Sequence, residues 1–285
     1  MPARPFAVLF DLDGTLVDTV PFILAAVRHA FEGTGRCPTD AEWIAGIGTP
    51  LRTQLASFAR RPEDVQPLFD RYRAYWLEHH DRETRCFPGA LEVVEALARA
   101  GHPIGVVTAK IEQGAHRTLK HTGLLPFVQA IVGADSCANA KPHPEPVLLA
   151  LSRLGSSPSE AVLVGDSPHD VLAGTMPGLP KPDAVLLILD STNLNRHLTL
   201  AAPILSLGMP TLVILNMADD LQGRGGDVDA AELSKQLGTP VVLISATKGA
   251  GIEKVLEFLS GATLQQPPQP PMLQLPVIQD VPKTR

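Results

Sequence analysis

Cysteine is nearly missing from this chain of 285 residues, and tryptophan and tyrosine occur twice each. Cys37, Cys86 and Cys137 lie far apart, are odd in number and form no CxxC pair. That pattern argues against a disulfide framework or a cysteine-based zinc site and fits idle thiols in a reducing cytoplasm. Charge is also sparse: 19% of residues are charged and the net charge is −6. The basic excess of a nucleic-acid binder is absent, so any phosphate must be held by a local site. No Gly-Lys pair occurs anywhere, which excludes a GxxxxGK[ST] phosphate loop. The N-terminus offers no signal peptide, because its first apolar run is cut short by Asp11 and Asp13. One uncharged stretch, Leu198 to Ala218, has the length of a membrane span, but Pro203, Gly208, Pro210 and Asn216 interrupt it. A buried helix, a turn and a buried strand are expected there, and no membrane partner.

What the chain does have is apolar residues, 45% of the total, arranged in short runs. FAVLFDLD, IGVVTAK, AIVGAD, AVLVGDS, AVLLILD, TLVILN and PVVLISA are each nearly continuous and apolar. Such runs predict strands buried on both faces, as in a parallel sheet. Helical patterns lie between them, among them GALEVVEALARAG, EPVLLALSRLG and AAELSKQLG, each closed by a glycine. The alternation predicts an α/β doubly wound parallel sheet, whose ligands bind at the carboxyl ends of the strands. Residues 19–86 break it with helical patterns alone, FILAAVRHAF and DVQPLFDRYRAYWLEHH being the clearest, and read as a helical cap. Residues 264–285 hold six prolines, including PPQPP, and read as an extended tail.

The polar residues that close the apolar runs are the candidate site. DLDGT, Asp11 to Thr15, puts two carboxylates two residues apart, on one side of an extended chain, before Gly14 allows a sharp turn. Close carboxylates repel unless one is protonated or a cation lies between them, and magnesium prefers such oxygens. Thr108 ends IGVVTAK, where a hydroxyl and the following backbone N–H groups suit a phosphate. Lys141, in the stiff AKPHPEP loop, offers a point charge. GDSPHD, Gly165 to Asp170, adds Asp166 and Asp170. Taken singly, Thr108 and Lys141 are weak signals, since threonines end many strands and lysines sit in many turns.

In order, these four elements resemble the haloacid dehalogenase (HAD) superfamily from Phe6 to about Gly174. The chain resembles in particular the phosphoglycolate phosphatase-like branch, through FDLDGTLVDT, a helical cap, GIGTPL, FPGALEVVEAL, KPHPEP and GDSPHD. The resemblance implies a core over 1–18 and 87–178 with the cap inserted at 19–86. It implies a magnesium-dependent phosphatase acting on a small phosphomonoester. Asp11 would be the nucleophile that forms an aspartyl-phosphate, and Asp13 the acid and then the base. Asp11, the Asp13 carbonyl and Asp166 would hold Mg2+, supported by Asp170. Gly14, Thr15, Thr108, Ala109 and Lys141 would hold the phosphoryl oxygens, and Gly46, Ile47, Gly48 and Arg52 fall where the branch places a specificity loop.

From Lys181 to Thr263 the chain instead resembles the later half of the G domain of the bacterial ferrous-iron transporter of the B type. PDAVLLILDSTNLNRHL, LGMPTLVILNMAD, ELSKQLGTPVV and ISATKGAGI carry the likeness, and LPVIQDVPK resembles the link that follows. The resemblance implies guanine contacts from Asn216 and Asp219 in NMAD and from Ser245 and Ala246 in SATK. The missing phosphate loop makes these vestigial, and with no membrane helices iron transport is not expected. The chain thus reads as two α/β halves joined near Gly174 to Lys181, whether an engineered chimera, a gene fusion or a sequence artefact. AVLLILD is expected to pair beside AVLVGDS in one sheet of about seven strands. A phosphatase is the leading expectation. A folded chimera of low activity and a weak guanine-nucleotide module are the alternatives.

Overall fold

A computed structural model describes residues 5–175 and 181–262. The proline-rich tail and LPVIQDVPK lie outside the described residues. The chain forms two compact units, Met1–Pro180 and Lys181–Arg285.

The first unit runs β1 (Ala7–Phe10), β2 (Val17–Asp18), α1 (Val20–Phe31), α2 (Asp40–Ile44), α3 (Leu51–Phe58), α4 (Val65–Glu83), β3 (Arg85–Cys86), α5 (Ala90–Arg99), β4 (Ile104–Val107), α6 (Glu112–His121), β5 (Ala130–Val132), α7 (Glu145–Leu154), β6 (Ala161–Val164) and α8 (Pro168–Thr175). Four strands form a parallel sheet in the order β5-β4-β1-β6. Strand alternation divides the side chains between two cores. Val8, Phe10, Ile104 and Val106 pack with Val94 of α5 and Leu119 of α6. Ala7 and Leu9 face the other way, toward Val147, Ala150 and Leu151 of α7 and Ala173 of α8. The short antiparallel ribbon β2–β3 brackets the four helices of the insert, a strand pair that the sequence pattern does not reveal. The insert has its own core, built on Val27, Phe31, Trp43, Leu55, Leu68 and Tyr72. Thr39 and Glu42 close α2 with reciprocal capping bonds.

The second unit runs β7 (Val185–Asp190), α9 (Leu194–Leu205), β8 (Thr211–Asn216), α10 (Ala218–Gly223), α11 (Ala230–Leu237), β9 (Val241–Leu243) and α12 (Ile252–Glu257). Its three parallel strands lie in the order β7-β8-β9. Val213 and Leu215 pack with Leu198, Leu205, Leu233 and Leu237, and Leu212 and Ile214 pack with Ile244 and Phe258.

Two expectations are corrected. Among the described residues β6 pairs with β1 and β7 with β8, so the seven runs fall in a four-stranded and a three-stranded parallel sheet and not in one of seven strands. The three-stranded sheet already packs both faces of β8 within its own unit, so cover does not require the pairing. Nor are all the strands covered on both faces: Val162 and Val164 of β6, and Leu186 and Ile188 of β7, are exposed. Each of these is an edge strand of its sheet. The apolar stretch Leu198 to Ala218 divides between the end of α9, a turn and β8, and no helix of the described residues is long and apolar enough to cross a membrane.

Candidate functional site

The site forms where β1, β4 and β6 end at one rim of the first sheet. The parallel register sets Phe10 beside Val106 and Val164. The residues that follow, Asp11, Thr108 and Asp166, are therefore brought to neighbouring strand ends. The Asp11 N–H donates to the Val164 carbonyl at 2.8 Å, and the Thr108 N–H to the Val132 carbonyl at 3.0 Å. Gly14 turns the chain with φ +89°, and a Cβ there would collide with the Asp166 carboxylate. Only glycine meets both demands. Thr15 closes this corner by donating its hydroxyl to Asp166 Oδ1 at 3.2 Å.

Lys141 is the central charge. It is buried, and its Nζ lies 2.9 Å from Asp11 Oδ1 and 2.6 Å from Asp170 Oδ1, while also donating to the Val107 carbonyl at 2.9 Å. Burial works against the ammonium, but the two carboxylates outweigh it and hold Lys141 above its ordinary pKa. Asp170 is held from the other side: its Oδ2 accepts from the Ser167 N–H at 3.1 Å and hydroxyl at 2.6 Å. Burial pushes Asp11 up to about 7, with Lys141 opposing and Asp170 and Asp166 reinforcing the rise. Asp166 stands at an exposed position, yet the burial of its carboxyl, followed by the charge of Asp170, raises it as well.

Carboxylate oxygens of Asp11, Asp166 and Asp170 lie within 4.8 Å of one another. The buried Asp11 Oδ1 faces the Lys141 ammonium at 2.9 Å. Three hard oxygen donors from converging carboxylates are a donor set that fits a divalent cation such as magnesium. A cation there would also offset the carboxylate repulsion that adds to burial in raising Asp11 and Asp166.

Asp13 is held apart from this cluster. Its Oδ1 accepts from the Thr19 hydroxyl at 2.6 Å and from Lys110 Nζ at 2.8 Å. Thr108 is buried and accepts from the Lys110 N–H at 3.2 Å, which leaves its own hydrogen to donate elsewhere. Ala109 follows it in the same loop. In the cap, a Cβ on Gly48 would meet His169 Nδ1 and Ser167 Oγ, each at 3.1 Å, so the 46–48 loop lies against the Gly165–Asp170 turn. Arg52 is engaged within the cap, stacked 3.9 Å over the Phe69 ring and donating to Gln66 Oε1 at 2.8 Å. Sequence reasoning did not single out Lys110, Thr19 or Ser167. Lys110 is the last letter of IGVVTAK, two residues beyond Thr108, and its reach to Asp13 depends on packing across 97 positions.

In the second unit Asn216, Asp219, Ser245 and Ala246 also come together. Asn216 Oδ1 accepts from the Ala246 N–H at 3.0 Å. A hydrogen bond from Ser245 is the main cause that lowers the Asp219 carboxyl, and Lys248 Nζ lies 3.5 Å away.

A capped parallel α/β unit with acids and a buried lysine at its carboxyl rim is an arrangement suited to an enzyme that handles phosphoryl groups. The model of the family "Haloacid dehalogenase-like hydrolase" matches residues 8–197, and the chain belongs to that family, as a phosphatase-type hydrolase. A second model, "Ferrous iron transport protein B", matches residues 169–259, so the two matches overlap over residues 169–197. Pyrophosphatase PpaX of Bacillus pumilus is 40% identical over 220 residues, covering 77% of this chain and 96% of that protein. Pyrophosphatase PpaX of Bacillus velezensis is 39% identical over 178 residues, 61% of this chain and 81% of that protein. A solved haloacid dehalogenase-like hydrolase from Streptococcus pneumoniae is 29% identical with a TM-score of 0.55, covering 65% of this chain and 85% of that one.

Proposed function

We propose that the chain is a magnesium-dependent phosphatase that hydrolyses a small phosphate compound through an aspartyl-phosphate on Asp11. The carrying observation is the grouping of Asp11, buried and 2.9 Å from the Lys141 ammonium, with Asp166 and Asp170 at one sheet rim. In the first step an Asp11 oxygen attacks phosphorus, the bond to the leaving oxygen breaks, and Asp13 gives that oxygen a proton. In the second, Asp13 takes a proton from water, whose oxygen attacks the phosphoryl group and restores the Asp11 carboxylate. Lys141, Thr108 and the Ala109 N–H hold the phosphoryl oxygens, where charge spreads in the transition state. Asp11, the Asp13 carbonyl and Asp166 would hold magnesium, with Asp170 supporting. The ion supplies positive charge to the phosphoryl oxygens.

Phosphoglycolate-like monoesters are the substrate class that the motifs imply. The two relatives named as pyrophosphatases favour pyrophosphate as the first compound to try. The test is phosphate release from pyrophosphate, phosphoglycolate and a generic phosphomonoester, with and without magnesium, beside Asp11→Asn. Magnesium-dependent turnover that the variant lacks is expected. Wild-type turnover by Asp11→Asn would remove Asp11 from the role.

A further inference from the structure

A line of polar contacts leads from Asp13 into the cap. The Lys110 ammonium, 2.8 Å from Asp13 Oδ1, is 3.4 Å from Thr118 Oγ1. Thr118 Oγ1 is 2.8 Å from His80 Nε2, and His80 Nδ1 is 2.6 Å from Asp81 Oδ1. Thr118 and His80 have no exposed surface. The Trp76 ring lies 4.3 Å from the His80 ring, and Lys110 Nζ is 5.6 Å from it. Outside, Arg117 Nε donates to Asp81 Oδ1 at 3.1 Å.

The donor inventory and a neutral His80 ring together set the direction of the bonds. An ammonium only donates, so Thr118 Oγ1 accepts from Lys110. The Asp81 carboxylate only accepts, so the proton of a neutral His80 ring sits on Nδ1, and the bare Nε2 takes the hydrogen of the Thr118 hydroxyl. This arrangement requires a neutral imidazole, and burial holds His80 below its ordinary pKa, with the Asp81 bond opposing. The two buried members, Thr118 and His80, are both hydrogen-bonded, and a satisfied buried pair rigidifies what it joins. His80 belongs to α4 of the insert, while Thr118 belongs to α6 of the core. The line therefore crosses from cap to core and ends on the carboxylate that handles the proton.

We propose that His80 and Thr118 are positioning residues that hold Lys110 on Asp13 Oδ1, so that the Asp13 carboxyl is set for the leaving oxygen while α4 is seated on α6. This rests on the reading of Asp13 as proton donor above. Thr118→Val removes only the hydroxyl, and Thr118→Ser keeps it. The measured quantity is kcat/KM on two phosphomonoesters, one with an alkyl leaving group that needs a proton and one, 4-nitrophenyl phosphate, whose leaving group departs as an anion. kcat/KM extends only to the first irreversible step, so it isolates the departure of the leaving group.

Thr118→Val should lose about tenfold on the alkyl ester and change less than about twofold on the aryl ester, a fraction of what a proton donor supplies. Thr118→Ser should match the wild type on both. His80→Phe should behave like Thr118→Val, and the double variant should lose no more than either alone, because both break one line. Equal losses on the two esters, or none on either, would overturn the proposal, as would a lower melting temperature with unchanged discrimination. His80→Gln probes the same bond from its other end should Thr118→Val not fold. Asp13→Asn separates the two levels. If it fails to discriminate between the esters, the role of Asp13 falls. If it discriminates and Thr118→Val does not, only the positioning line falls.

Discussion

Asp11→Asn should stabilise the metal-free protein while removing its activity, and the gain should grow with pH. Asp11 is raised from its ordinary 3.8 to about 7, first by burial. The folded state therefore holds a proton that the unfolded state has already lost between these values. The native form binds more protons there, so stability falls as pH rises: it is complete below about 4 and has gone once pH passes about 7. At about 1.4 kcal/mol per pH unit, a gap of roughly three units amounts to about 4 kcal/mol at pH 8. Near pH 5 about 1 to 2 kcal/mol of that has been lost already, so the change from pH 5 to pH 8 is about 3 kcal/mol. Asparagine has no such proton to lose. The melting temperature of Asp11→Asn minus that of the wild type, in a chelator, should thus rise by roughly 5–10 °C between pH 5 and pH 8. Lys141 loses one of its two carboxylates in the variant, which lowers the curve without giving it this slope. Magnesium should reverse the trend in the wild type, because binding N and not U stabilises the ionised form. A difference that stays flat from pH 5 to pH 8, or declines, would refute the account of a buried, proton-retaining Asp11.

Lys141→Met leaves the Asp170 carboxylate, 2% exposed, without its cation. It should cost about 3–5 kcal/mol in a urea titration at pH 8. Gly14→Ala places a methyl group in the Asp166 carboxylate and strains a φ of +89°; it should cost about 1–3 kcal/mol and weaken magnesium binding measured by calorimetry. Leu215→Ala, at a position with no exposed surface, should destabilise the second unit by about 2–5 kcal/mol in the same titration. GTP should bind with a dissociation constant no tighter than about 1 mM, equivalent to about 4 kcal/mol, since base contacts without a phosphate loop are all that remain. Micromolar affinity in calorimetry would contradict that.

The seven apolar runs each became a strand, and Asp11, Asp13, Thr108 and Asp166 follow strand ends or lie just beyond them. These were legible because a continuous apolar run has one economical use, a covered strand, and the polar residue after it must reach a rim. The order of the motifs by itself pointed to the family. Packing alone decided the rest. Lys141 reaches Asp11 across 130 positions only because the strand ends converge, and its ammonium settles there because two buried acids outweigh the burial penalty. The grouping of Lys110, Thr118 and His80 leaves no periodic trace, since contacts between cap and core join residues that share neither strand nor helix. Whether AVLLILD would extend the first sheet was likewise beyond local pattern. An apolar strand carries no label for its partner, and the second unit, with six matched residue pairs between β7 and β8 and helices of its own, forms its own sheet.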